Sequence, residues 1–127
     1  MIVRTFDELT GTDRDVAGEG WHSRRLLLRA DGMGYSLHDT TVEAGGELEL
    51  EYPHHLEACY CIAGEAEVTD LQTGRSWPIR PGTVYALDQH DHHTLRAISE
   101  LRLVCVFNPA LVGTERHVGG GYEPSPE

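Results

Sequence analysis

Polar and apolar residues alternate with a period of two through much of the chain, and that alternation predicts strands. In residues 46–52, GELELEY, Leu48, Leu50 and Tyr52 fall on one face and Glu47, Glu49 and Glu51 on the other. The glutamates belong in water, so Tyr52 is expected to point inward. In LRLVCVFN (101–108), Leu101, Leu103, Cys105 and Phe107 share a face opposite Arg102. In LEACYCI (56–62), Glu57, Cys59 and Cys61 lie opposite Ala58, Tyr60 and Ile62, and in TVYALD (83–88) Tyr85 goes with Leu87. Further strand-like runs are RRLLLRA before the Asp31-Gly32 turn, GYSLHDTTV, EAEVTD and HTLRA, with SWPIRPG as a connection. Residues 1–20 read as an irregular polar segment on the barrel, with a helical turn near residues 6–9. Short strands at even spacing, punctuated by Gly and Pro, imply an all-β sandwich or small barrel. Tyr52, Glu57, Tyr85 and Cys105 would then bring polar groups into its interior, which a pocket requires and a core does not.

A chain of 127 residues suits one domain with a single core. The expected domain covers 1–117, and 118–127, rich in Gly and Pro, reads as a flexible tail that either covers the barrel mouth or frays. Net charge is −11 and all ten cations are Arg, which argues against nucleic acid and anionic membranes as partners. The charged N-terminus does not resemble a signal peptide, and no apolar stretch reaches membrane-spanning length. An odd number of cysteines, two of them alternating in an apolar run, reads as buried thiols in a reducing cytoplasm.

Two spaced motifs point to chemistry. Glu57 precedes Gly64 by the interval that ends the first motif of the cupins, a superfamily of small β-barrels with jelly-roll-like double sheets. Gly82, Asp88, His90 and His93 follow the frame of the second, with Gly82 and His93 as identities. The paired histidines of the first motif are absent: His54 and His55 are out of frame, and as adjacent strand residues at most one of them could join Glu57. Glu57 and His93 remain as ligand positions, and Tyr85 is the best-placed replacement for the rest. A carboxylate, an imidazole and a phenolate form an oxygen-rich set that suits iron as a Lewis acid.

With their neighbours, these residues resemble the ectoine synthases. The resemblance is carried by GTDRDV (11–16), WHSRRLLL (21–28), DGMGYSLHDTT (31–41), HLEACYCI (55–62), PGTVYALDQHDHH (81–93) and LVCVFNP (103–109). It implies a cytoplasmic homodimer that closes N4-acetyl-L-2,4-diaminobutanoate into the cyclic amidine ectoine with loss of water. It also implies mononuclear Fe2+, or another divalent metal, on Glu57, Tyr85 and His93. The substrate pocket it implies comprises Trp21, Arg25, Thr40, Tyr52, Cys105, Phe107 and Glu115. Arg25 suits the substrate carboxylate, Trp21 and Phe107 suit apolar walls, and Glu115 or Tyr52 suits the general base. His92 or Tyr85 would assist departure of the oxygen. Each has a plainer reading: Cys105 and Phe107 as core, Glu115 as a surface charge, Arg25 turned outward beside Arg24. A cupin dioxygenase or isomerase, or a non-catalytic ligand-binding cupin, are the competing functions.

Overall fold

The computed structural model describes residues 1–115, 117, 118 and 120–122. Its strands, in chain order, are β1 (Asp15–Gly18), β2 (Trp21–Leu27), β3 (Ser36–Val42), β4 (Glu47–Leu50), β5 (Leu56–Ala63) and β6 (Ala66–Asp70). They continue with β7 (Ser76–Ile79), β8 (Val84–Leu87), β9 (His93–Ala97), β10 (Leu101–Asn108), β11 (His117–Val118) and β12 (Gly121–Tyr122). β1-β2-β3-β10-β5-β8 make a six-stranded sheet and β4-β9-β6-β7 a four-stranded one, with β11-β12 as a separate hairpin. The two larger sheets bury their inner faces against one another as an all-β double sheet, not a closed barrel. Inner residues Val42, Cys61, Leu101 and Leu103 share one core with Ala66, Val68, Ile79, Leu95 and Ala97 of the second sheet. Among the described residues no helix is long and apolar enough to cross a membrane.

The alternation reads correctly where one face is wet. Glu47, Glu49 and Glu51 are exposed and Tyr52 is buried. Leu101, Leu103, Cys105 and Phe107 are buried in turn, as are Glu57, Cys59 and Cys61. Three expectations need correction. SWPI is a strand, β7, invisible to alternation because only Ile79 is buried. It is an edge strand, so Pro78, which has no N–H, is tolerated. Residues 1–20 are not wholly irregular, since β1 pairs with β2. His54 and His55 lie in the turn before β5, so strand parity does not govern them: His54 is exposed and His55 buried.

Glycine is required where backbones nearly touch. Gly64, at φ +82, ends β5, and a Cβ there would lie 2.0 Å from the carbonyl oxygen of Glu100. The N-terminal segment is fastened by charge. Asp31 accepts from Arg4 at 2.8 Å, Arg14 at 3.1 Å and the Leu28 amide at 2.9 Å, which together hold its carboxyl well below the usual carboxylate range. The Phe6 ring takes the Arg24 and Arg102 guanidiniums at 4.2 and 4.9 Å, and Arg102 also binds Asp39 through two bonds of 2.9 and 2.7 Å.

Candidate active site

Strand register aligns the chemistry. Arg25 pairs with His38 across β2 and β3, and His38 with Cys105 across β3 and β10. Cys105 pairs with Cys59 across β10 and β5, and Cys59 with Tyr85 across β5 and β8. One row of polar side chains therefore crosses five strands, and Glu57 and Phe107 are opposite one another in the next row. A cavity of about 540 Å³, its open mouth included, lies over this floor. Its walls include Trp21, Ser23, Thr40, Tyr52, Phe107 and Tyr122.

Tyr122 closes one side of the cavity. Its ring stacks on Tyr52 at 5.4 Å and meets Phe107 edge-on at 5.5 Å. The β11-β12 hairpin can approach this closely because it carries glycine: a Cβ on Gly121 would sit 1.9 Å from the Glu51 carbonyl oxygen. The Glu51 amide donates to the Gly120 carbonyl at 3.0 Å. The described part of the tail is thus folded over the cavity, while residues 123–127 lie outside the described residues.

The electrostatics are those of a dry site. Burial pushes the Glu57 carboxyl up to about 8, against hydrogen bonds from the thiols of Cys59 and Cys105. Ligand atoms of these three residues lie within 4.8 Å of one another. Burial also raises the Tyr52, Cys59 and Tyr85 groups well above their ordinary values, and moves Tyr122 to about 12. His38 is pushed down to about 3, first by burial and then by the Arg25 charge, so its imidazole is neutral.

His93 has the setting of a ligand. Its Nδ1 faces the Asp91 carbonyl at 2.8 Å, an acceptor only, so Nδ1 bears the proton and Nε2 the lone pair. That Nε2 is buried with no hydrogen-bond partner among the described residues. An orphaned imidazole lone pair, oriented by a carbonyl on its far nitrogen, fits a cation. The ring lies 6.4 Å from that of Tyr85, edge-on. Tyr85 lines both the main cavity and a side groove shared with His93. Among the described residues, the ligand atoms that converge are those of Glu57, Cys59 and Cys105; Tyr85 lines the same cavity, whereas His93 lines the side groove and not the cavity itself.

Not every candidate reaches the cavity. Arg25 is buried behind Tyr122, donating to its hydroxyl at 3.0 Å and to the Gly113 carbonyl at 3.4 Å. Glu115 is buried, not a surface charge, and accepts from the Val112 and Gly113 amides at 2.8 Å each. Neither lines the cavity. His92 faces outward, 3.1 Å from Glu49 and 3.7 Å from Glu51, because it precedes His93 on the opposite side of the chain. Sequence reasoning missed His38, Cys59, Ser23 and Tyr122 as lining residues. Three had a signal: His38 is two residues from Thr40, Cys59 two from Glu57 and Ser23 two from Trp21, each on the same strand face.

Two facing antiparallel sheets with an end cavity of this kind define a cupin. The fold matches an RmlC-like cupin from Shewanella frigidimarina at a TM-score of 0.64 and 19% identity, covering 76% of this chain and 82% of that one. The chain belongs to the ectoine synthase family, whose model matches residues 1–126. The L-ectoine synthase of Desulfatibacillum aliphaticivorans is 58% identical over 126 residues, 98% of this chain and 97% of that protein. The crystal structure of ectoine synthase from P. lautus matches at a TM-score of 0.89 and 49% identity, covering 100% of this chain and 93% of that chain.

Proposed function

We propose that the chain is an ectoine-forming cyclase that joins the α-amine of N4-acetyl-L-2,4-diaminobutanoate to its own acetyl carbon and releases water. A divalent iron would be held by Glu57, Tyr85 and His93. Two observations support the reading: the buried Nε2 of His93 has no hydrogen-bond partner among the described residues, and the Glu57 carboxyl is buried on the wall of an aromatic cavity that Tyr85 also lines. Bound there, the metal supplies Lewis acidity for an amide carbonyl, a poor electrophile, contributing on the order of several kcal/mol.

The remaining chemistry belongs to the side chains. Trp21, Tyr52, Phe107 and Tyr122 enclose the substrate and exclude water, which favours a dehydration. Their walls bend a flexible chain so that amine and carbonyl meet, replacing a search through rotamers. Thr40 donates to Ser23 at 3.1 Å, which gives one wall a pair of hydroxyls for the substrate's polar end. Arg25 acts through Tyr122, whose hydroxyl it orients. The amine must lose a proton before it attacks. Neither base candidate is well placed for this: Glu115 does not line the cavity, and Tyr52 lines it but burial holds its phenol protonated.

Because burial holds Glu57 protonated at neutral pH, a cation must displace that proton to bind. Apparent metal affinity should therefore weaken as pH falls below about 8. We further infer a cytoplasmic homodimer, consistent with exposed Tyr60, Ile62 and Val84 on the outer sheet face, and a closing role for the tail. Purified protein, ferrous iron and N4-acetyl-2,4-diaminobutanoate should yield the cyclic amidine. Iron-loaded protein that leaves this substrate intact refutes the reading.

A further inference from the structure

Among the described residues, one residue other than glycine has a positive φ: His90, at 53°. The left-handed region is uncommon for residues other than glycine, histidine being among those that enter it more often, and the contacts around such a residue show what holds it there. The contacts here are specific. His90 Nδ1 lies 2.8 Å from the carbonyl oxygen of Tyr52 and 3.1 Å from that of His55. Both partners only accept, so Nδ1 carries a proton and donates to both.

The topology shows what this clasp joins. The connection from β4 to β5 leaves the four-stranded sheet and enters the six-stranded one. It places Tyr52 on the cavity wall and leads into Glu57, the second residue of β5. The connection from β8 to β9 crosses in the other direction, from the strand of Tyr85 to His93, the first residue of β9. His90 stands in the second crossover and holds the backbone of the first. It thus ties the two crossovers together beside Tyr52, a residue of the cavity wall.

We propose that His90 is a positioning residue that sets the separation of the sheets at the cavity end, and with it the placement of Glu57 relative to Tyr85 and His93. His90 lines neither the cavity nor the side groove. The proposal rests on the metal assignment made above. The residue as a whole is exposed, so a merely structural role would leave little to lose beyond the two hydrogen bonds.

The test compares His90→Gly and His90→Asn with the wild-type full chain. Glycine occupies the left-handed region freely but cannot donate; asparagine tolerates it and offers a shorter amide donor. The readouts are melting temperature, iron affinity by chelator competition, kcat and KM, and amide exchange at residues 57–59 in metal-free protein. His90→Gly should melt at or above the wild-type temperature. Its iron affinity and kcat should fall about 10- to 100-fold, as for residues that orient ligands, with KM within about threefold. Exchange at residues 57–59 should quicken, and His90→Asn should recover part of each loss. Wild-type affinity, kcat and exchange in His90→Gly overturn the proposal, as do losses that merely follow melting temperature in both variants. If the Glu57→Ala variant keeps its iron, the metal assignment fails instead, and the exchange comparison still decides the clasp.

Discussion

The inner face of the six-stranded sheet has two ends with different contents. At one, Cys61 and Leu101 meet Ala66, Val68 and Ala97 in a core that burial alone stabilises. At the other, the same strands carry His38, Glu57, Cys59 and Cys105, where burial opposes charge and leaves the His38 Nε2 with no hydrogen-bond partner among the described residues. Both ends follow the same period of two, so the backbone does not distinguish them. The difference lies in which residue occupies each inward position. Buried polar groups are costly unless a partner satisfies them, so the second end is built for something bound there, and the first stabilises it.

If that division holds, substitutions at the two ends should separate activity from stability. Glu57→Ala is expected to have the largest effect. With the Lewis acid lost, turnover should fall on the order of a thousandfold, while melting temperature of metal-free protein holds or rises because a buried carboxyl has been removed. Leu101→Ala, at the apolar end, should do the opposite. Denaturant unfolding should show a loss of about 2–5 kcal/mol, with kcat/KM of the folded fraction unchanged. Phe107 borders both regions, so Phe107→Ala should cost about 3–5 kcal/mol and also impair turnover.

A smaller effect concerns pH. His38 titrates at about 3 in the folded chain against 6.5 unfolded, so the unfolded state binds the extra proton between those values. Its contribution is present above pH 6.5 and is lost as pH falls toward 3, at about 1.4 kcal/mol per unit. Glu57, raised from 4.5 to about 8, has the opposite slope above 4.5 and cancels when His38→Asn is subtracted from wild type in metal-free protein. A pH-independent difference would place His38 in contact with water. The smallest effect is expected for His92→Ala: turnover within about twofold and stability within about 0.5 kcal/mol, since its contacts with Glu49 and Glu51 are on the surface. A large fall in kcat would return His92 to the reaction.

Much of this was legible before any coordinates. Alternation fixed the inward faces of β4, β5, β8 and β10, because each has a wet side that reveals the dry one. Glu57, Tyr85 and Cys105 followed directly. What alternation cannot supply is register, and register is what places Arg25, His38, Cys105, Cys59 and Tyr85 in one row. Tyr122 had no local signal at all. It joins the cavity because two glycines let a distant hairpin settle against residues 49–53. Arg25 was foreseen as a ligand for the substrate, yet the chain interposes Tyr122 between it and the cavity, a matter of tertiary packing that no strand pattern encodes.

The most direct test is the metal content of protein purified without chelators, for wild type, Glu57→Ala and His93→Ala. One iron per wild-type chain, absent from both variants, is the expected result. Full occupancy in both variants would contradict the account, and zinc that departs only when Cys59 or Cys105 is replaced would relocate the site to the thiols.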